Sequence, residues 1–431
     1  MSGQRILVVS YYFPPTATVG GHRWHAMCRH LQRLGHETTV VTTAAEAVGP
    51  DDSELGVVRV ADLVSSPALR RLLRRPPLAM AVPAAADAPA PLEKPAPALL
   101  TRVIVPDSYL ASWVPAALRA TRRLIREREI DVVVTTGPPH STHAVGLLLG
   151  RSRPLWLADF RDGWGFEPLG APWPTLPQRT FDRAFERRVV TTADAVLGAT
   201  RPIAEDLATR LGGNAAWVPN GWDPDRAPAE QPQADAAIGN GTVTLVHTGK
   251  LSGPRGRDPR PLFAALRTLR AETPAEGVVR RDVRLVLAGQ MDEHDERLIA
   301  ESGLGDAVEY VGVLDRREVV GVQHAAGALL LLTALQCNAS EATGKVFEYL
   351  ASGRPIVALA HDNEAARIVH ETRTGMVVPP DDEVAILDAL RRVADGRLER
   401  DYAPRDLERF TYPGPALAVL DAIEQIEQAR G

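Results

Sequence analysis

Short apolar runs alternate with helical patterns along nearly all of the 431 residues, and this alternation constrains the fold more than any other feature. In the first half the strand-like runs are Ile6–Ser10, Thr38–Val41, Asp131–Thr135, Leu155–Asp159 and Ala195–Leu197. In the second half they are Val243–His247, Val283–Ala288, Ala307–Val311, Ala328–Leu332 and Pro355–Leu359. A strand that returns through a helix lies parallel to its neighbour, so each set predicts a layered α/β domain with a doubly wound sheet. Two such sets predict two domains, which is also what a chain of this length usually makes.

The expected boundaries follow from composition. Asp223-Pro224-Asp225 through Gln231-Pro232-Gln233 is polar and Pro-rich, as a linker should be. Residues 1–222 then form the first domain, 223–239 the linker and 240–411 the second domain; a last helical pattern lies within 412–431 and could pack on either domain. Near 64–104 the first domain makes an excursion, with seven prolines between Pro76 and Pro97 after the basic run Arg70-Arg71-Leu72-Leu73-Arg74-Arg75. Such a run suits either an anionic membrane surface or plain solvent.

The balance of charge excludes some partners. A net charge of −5 and no basic tract over a whole domain argue against nucleic acid. The start of the chain runs straight into the strand at Ile6 and no run approaches a membrane span, so a cytoplasmic protein is expected, with at most peripheral membrane contact at the inner face. Cys28 and Cys337 lack metal-ligand or redox spacing and are expected as reduced, buried thiols. The excess of Arg, Ala and Pro resembles that of a GC-rich bacterial genome, which concerns codon usage rather than function.

Lysine usage is the sharpest local signal. Of 49 basic residues only Lys94, Lys250 and Lys345 are lysine. Two of them close Thr-Gly-Lys triplets, His247-Thr248-Gly249-Lys250 after a strand and Thr343-Gly344-Lys345 at the start of a helix. A compact ammonium at a Gly-flanked element end, beside free N–H groups, suits a phosphate. In the second triplet Thr343 is the expected N-cap, Gly353 the C′ residue and Pro355 the stop, which define a helix of about two turns. Glu348 lies one turn from Lys345 on roughly the same face, where a carboxylate can grip a ribose diol. Two loops at strand ends are further candidates. Asp159-Phe160-Arg161-Asp162 ends one strand and Gly137-Pro138-Pro139-His140-Ser141-Thr142-His143 follows another, and open α/β sheets bind ligands at such ends. The same residues could instead pair, cap or pack.

The passage Gly344 to Pro355 resembles the nucleotide-sugar motif of retaining glycosyltransferases of family four, in the variant K-x-F-E-Y-L-A-x-G-x-P. Agreement extends to Tyr11-Tyr12-Phe13-Pro14-Pro15 with Gly20-Gly21, Gly35-His36-Glu37, Asp159 to Trp164, Pro219-Asn220-Gly221 and His247-Thr248-Gly249. The resemblance implies the GT-B fold, two Rossmann-like domains facing a cleft. It implies a nucleotide-diphosphate sugar as donor, and donor contacts from Gly20, Gly21, Asn220, Gly249, Lys250, Arg257, Ser340, Glu341, Thr343, Gly344, Lys345 and Glu348. Within that set Glu348 takes the ribose, while Lys250 and Arg257 neutralise the diphosphate. Ser340 stands where many members have a first glutamate, and Glu341 is one place off. Catalytic or acceptor-side roles fall to Asp159, Arg161, Asp162 and His140. No metal or other cofactor is expected, because cations and helix N-termini can offset the charge on a leaving diphosphate. The acceptor is a lipid-linked sugar, a polysaccharide or a small natural product. A sugar-nucleotide epimerase of similar architecture and a non-catalytic nucleotide-sugar-binding protein are the alternatives. A dehydrogenase is disfavoured, since the first strand leads into Ser10-Tyr11-Tyr12-Phe13-Pro14-Pro15 rather than G-x-G-x-x-G.

Overall fold

The computed structural model describes residues 3–15, 19–44, 55–63, 103–168, 170–226, 241–252, 257–273, 279–335 and 338–430. Three features of the sequence lie outside the described residues: the Arg70–Arg75 run with its Pro-rich continuation, residues 227–239 of the expected linker, and Cys337.

The described chain forms two compact units. Residues before Trp222 and from Tyr412 onward make the first, and Trp222–Thr411 the second. The strands of the first are β1 (Arg5–Ser10), β2 (Glu37–Thr43), β3 (Gly56–Val60), β4 (Val132–Gly137), β5 (Leu155–Phe160), β6 (Ala195–Gly198) and β7 (Ala215–Trp217). Its longer helices are α1 (Val19–Arg33), α2 (Val114–Arg128), α3 (His143–Leu149), α4 (Leu176–Thr192) and α5 (Arg201–Thr209). The second unit has β8 (Thr242–Thr248), β9 (Asp282–Ala288), β10 (Val308–Gly312), β11 (Ala328–Leu332), β12 (Ile356–Leu359) and β13 (Gly375–Val378). Its helices are α6 (Arg260–Ala271), α7 (Glu293–Ser302), α8 (Arg316–Ala325), α9 (Gly344–Ser352), α10 (Glu364–Glu371) and α11 (Glu383–Ala394). A last helix, α12 (Gly414–Arg430), belongs to the first unit.

Both sheets are parallel and share one winding order. The first runs β3-β2-β1-β4-β5-β6-β7 and the second β10-β9-β8-β11-β12-β13. In each the direction of winding reverses between the first strand and the fourth, at β1/β4 and at β8/β11. A crevice opens at the carboxyl ends of the strands at such a reversal, and ligands of open α/β sheets bind there. Burial on both faces explains the near-continuous apolar strands. Along β1, Leu7 and Val9 enter the core beneath α2 to α5, while Ile6 and Val8 enter the core beneath α1 and α12. The choice left open for the C-terminal helix is settled by that second core, where Ala416, Val419 and Ile423 pack with Trp24, Met27 and Leu31.

Ten strands coincide with the expected runs, within a residue or two at their ends. β3, β7 and β13 were not anticipated. All three lie at sheet edges and are only partly buried: every residue of β3 and β7, and all but Val378 of β13, keeps some exposure.

Candidate functional site

The second unit gathers its charges at the β8/β11 reversal. β8 ends at Thr248, and Gly249 follows with φ 129°, which a side chain rarely adopts. Cε and Nζ of Lys345 lie where a Cβ on Gly249 would sit, so the lysine crosses this strand end over the glycine. Gly289, after β9, similarly faces the backbone of Gly249: a Cβ there would come within 2.7 Å of the Gly249 oxygen. Arg257 joins the group by donating from Nη1 to the Lys250 carbonyl at 3.4 Å. Gly249, Lys250, Arg257 and Lys345 are therefore brought together from three separate stretches.

Lys345 stands at the second position of α9, whose N-cap is Thr343 and whose C-terminal residue Gly353 has φ 68°. Thr343 makes no side-chain cap, and its Oγ1 is buried without a hydrogen-bond partner among the described residues. The first turn of a helix also carries N–H groups that lack intrahelical acceptors. Glu348 is half-buried one turn further, with Oε1 3.9 Å from Nη1 of Arg316, and that guanidinium lies 5.5 Å from the centre of the Trp222 ring.

The register of α9 against β8 is set by a residue that sequence reasoning passed over. The hydroxyl of Tyr349 accepts the Thr248 N–H at 3.0 Å, lies 3.2 Å from Thr248 Oγ1 and donates to the Leu330 carbonyl at 3.4 Å. Burial pushes this phenol up to about 12, so it stays a neutral donor. A tyrosine in the middle of a buried helix needs a partner for its O–H, and that was the available signal. His247 is also buried, with Nδ1 2.9 Å from the Leu330 oxygen and Nε2 3.1 Å from that of Lys250. Burial, then the charge of Lys345, holds its pKa down to about 4, so a neutral imidazole sits below the cationic group.

Ser340 and Glu341 precede α9 in the loop after β11. Glu341 is buried; Oε2 accepts the Ala334 N–H at 3.2 Å, and Oε1 has no hydrogen-bond partner among the described residues. The loop is pinned from behind, because Ala365 N–H donates to the Glu341 carbonyl and Glu364 N–H to that of Ala339, both at 2.9 Å.

The first unit builds something different at its β1/β4 reversal. Gly20 and Gly21 open α1, and a Cβ on Gly21 would lie 3.2 Å from the Phe13 Cα, so its absence lets the helix start close against the loop after β1. Asp159 is fully buried: Oδ1 accepts from Arg23 at 3.1 Å, and Oδ2 accepts from Trp24 Nε1 and Thr136 Oγ1, both at 2.7 Å. The same Arg23 donates to Asn220 Oδ1 and to the Pro219 carbonyl at 2.8 Å, and to that of Val218 at 2.7 Å. Asp159 and Asn220 are thus joined through an arginine that sequence reasoning did not single out. Its signal was a charged residue two places after the glycine pair, beside Trp24 and one turn before Met27.

His140, Arg161 and Asp162 lie at the ends of β4 and β5. His140 stacks on Trp164 with centroids 4.4 Å apart and planes 8° apart, and its Nδ1 is buried without a hydrogen-bond partner among the described residues. Burial, reinforced by His143 and Arg161, pushes its pKa down to about 3. Arg161 donates through Nε to the Gly137 carbonyl at 3.1 Å and through Nη2 to that of Pro138. Asp162 is half-buried, and its charge supports that of Arg161. Trp164 then ties this loop to α4 by donating to Asp182 Oδ1 at 3.0 Å.

Comparison with known proteins gives these two units a class. Residues 20–221 match the model described as "Glycosyl transferase 4-like domain", and residues 243–395 the model "Glycosyl transferases group 1". The chain is similar to sucrose-phosphate synthase from Thermosynechococcus elongatus, at 19% identity and TM-score 0.61, covering 99% of this chain and 100% of that one. It is also similar to a glycosyltransferase from Rickettsia africae, at 11% identity and TM-score 0.59, covering 99% of each. A putative UDP-N-acetylglucosamine 2-epimerase from Listeria monocytogenes is 13% identical with TM-score 0.55, covering 99% of this chain and 98% of that one. No curated protein matches the sequence. The architecture is the GT-B fold. Each unit therefore matches one glycosyltransferase domain model, in chain order, on a GT-B architecture.

Proposed function

We propose that this glycosyltransferase takes its sugar from a nucleotide-diphosphate sugar and passes it to an acceptor hydroxyl or amine with the anomeric configuration retained, as in family four. The observation that carries the donor class is the convergence of Lys250, Arg257 and Lys345 on one strand end beside the first turn of α9. Placed there, a diphosphate meets cations and helix N–H groups that stabilise the charge developing as the sugar departs, and that stabilisation replaces a metal. Thr343 Oγ1 and the backbone of Gly344 complete the phosphate contacts, with Gly249 letting the backbone approach. Glu348 accepts from the ribose hydroxyls, and Glu341 Oε1, supported by the Ser340 backbone, accepts from the sugar.

His140, Arg161 and Asp162 are assigned to the reacting sugar and the acceptor. A neutral His140 held on the face of Trp164 can donate or accept a single hydrogen bond at neutral pH. Asp159 has a positioning part, since both its oxygens are engaged inside the protein, and through Arg23 it orients Asn220. The acceptor is a lipid-linked sugar, a polysaccharide or a small natural product. Among the described residues no helix is long and apolar enough to cross a membrane.

The test is a panel of nucleoside diphosphates and their sugars by calorimetry and thermal shift, followed by transfer to acceptor mixtures with the product anomer read by NMR. A saturating ligand at a hundred times its dissociation constant raises stability by about 2.7 kcal/mol. Inverted product refutes retention, and release of an epimerised sugar nucleotide without acceptor would make the protein an epimerase instead.

A further inference from the structure

Three side chains in the core of the first unit carry polar groups that the proposed reaction leaves unused: Thr135 on β4, His143 at the start of α3 and Trp156 on β5. All three are fully buried. The Trp156 indole donates from Nε1 to Thr135 Oγ1 at 2.9 Å, and the same oxygen lies 2.9 Å from His143 Nδ1. Two glycines make room for this meeting. A Cβ on Gly146, within α3, would collide with the indole, and one on Gly137, at the end of β4, would come within 2.7 Å of His143 Nε2. The His143 ring lies against Phe160, with centroids 4.7 Å and planes 23° apart.

Counting donors gives the direction of each proton. An indole nitrogen only donates, so Thr135 Oγ1 accepts from Trp156. The hydroxyl has a single proton, and among the described residues the other partner of this oxygen is His143 Nδ1. Burial, then the charge of Arg161, holds the pKa of His143 down to about 3, so its ring is neutral at pH 7. If Nδ1 carried the ring's proton, two donors would meet at Oγ1 and the hydroxyl proton would be buried without an acceptor, which folded proteins avoid. Thr135 therefore donates to Nδ1, and His143 keeps its proton on Nε2.

That Nε2 has no hydrogen-bond partner among the described residues and faces the backbone of Gly137. His140 brings its own unpartnered buried nitrogen to the same place, since a Cβ on Gly137 would lie 3.3 Å from His140 Nδ1. Arg161 adds a positive charge there by donating to the Gly137 carbonyl. Near an N–H group and a guanidinium a bare nitrogen is favoured over a second N–H, because its lone pair is the negative end of the ring dipole.

We propose that Trp156, Thr135 and His143 form a buried chain that orders protons and fixes that of His140 on Nε2, so that His140 meets substrate as a hydrogen-bond donor and not as a base. Thr135, His143 and Trp156 are then positioning residues that act through His140. The consequence for the reaction rests on the assignment of His140 to the reacting sugar and the acceptor. The ring steadies an oxygen through its lone pair and takes no proton from the acceptor.

The experiment labels the histidines of the full chain with a nitrogen isotope and records long-range proton–nitrogen correlations at neutral pH, which distinguish the two neutral tautomers. Donor and acceptor are absent, so its failure leaves the donor assignment untouched. Signals missing from His140→Phe and His143→Phe assign the two rings. In the unaltered protein each ring is expected as a single species with the proton on Nε2 and a bare Nδ1. Thr135→Val keeps the shape but removes the hydroxyl; His143 should become a mixture of tautomers, and the His140 signals should move with it. Thr135→Ser, which keeps the hydroxyl, should restore the spectrum. A proton on Nδ1 of either ring in the unaltered protein overturns the proposal, a result that needs no variant to fold. A Thr135→Val protein in which His143 changes while His140 stays as it was overturns it too. Full transfer activity in His140→Phe would instead overturn the assignment of His140, and with it the consequence for the reaction.

Discussion

The two sheets wind in the same order and reverse at equivalent strands, yet the β8/β11 reversal collects cations while the β1/β4 reversal collects rings and a buried ion pair. At the first of these, Lys345 crosses Gly249 beside Lys250 and Arg257. At the other, Asp159 is sealed by Arg23, Trp24 and Thr136, and His140 stacks on Trp164. One topology supplies two crevices, and the residues lining each decide what it can hold. A cationic crevice suits a diphosphate; a neutral one with an imidazole suits a sugar or an acceptor hydroxyl.

The largest expected effect should fall on the first unit alone. Asp159→Ala strands Arg23 without its counter-charge in the interior, a change that costs about 3–5 kcal/mol. Chemical unfolding followed by fluorescence, which the first unit's buried Trp24, Trp113 and Trp156 dominate, should show that loss, with nucleoside diphosphate affinity nearly unchanged. A collapse of nucleotide affinity in a folded variant would erase the distinction between the crevices.

Next in size is Glu348→Gln, which keeps the shape of the side chain but weakens a charge-assisted hydrogen bond worth roughly 1.5–3 kcal/mol. Donor affinity should fall by about 10- to 100-fold while melting temperature holds. Affinity for a 2′,3′-dideoxynucleoside diphosphate should barely change, which assigns the loss to the ribose.

Tyr349→Phe removes the acceptor of the Thr248 N–H and should cost about 1–3 kcal/mol, seen as a lower denaturation midpoint in the second unit. Since the hydroxyl joins α9 to the end of β8, nucleotide affinity should fall with it. An unaltered affinity would mean that α9 keeps its place without this bond.

The smallest effect concerns pH. Burial holds His140 and His143 at about 3 and His247 at about 4, below the ordinary value near 6.5. The unfolded chain therefore takes up these protons first as pH falls. The contribution of the neutral rings to stability is complete above about pH 6.5 and is lost progressively towards pH 3. Between pH 7 and pH 5 the loss should be smaller in His140→Phe, which keeps the stack on Trp164. Proton NMR should show the imidazole signals of all three residues unmoved down to pH 5, and a titration near 6.5 would contradict the burial described here.

The strand ends and the lysines were legible because each is a local pattern: an apolar run closing on Gly or Thr, and a residue type used three times in the whole chain. Helix α9 was legible from its two ends, Thr343 and Gly353. The edge strands β3, β7 and β13 were not: they are three to five residues long and only partly buried, so Val57-Val58 and Met376-Val377-Val378 carry no alternation long enough to read. Arg23 and Tyr349 were missed for another reason. Their roles rest on partners far along the chain, Asp159 and Asn220 for the first and Thr248 for the second, and no spacing encodes such a meeting.

The central claim is that the β8/β11 crevice binds a diphosphate through its lysines. Calorimetry with a nucleoside diphosphate and with the matching nucleoside should be run on the unaltered protein and on Lys250→Ala, Lys345→Ala and Lys94→Ala. Each of the first two variants should lose about 10- to 100-fold in affinity for the diphosphate, as for one charge-assisted contact, with little change towards the nucleoside and no change at all in Lys94→Ala. Equal behaviour of the three variants, or equal losses for nucleoside and diphosphate, would contradict the account.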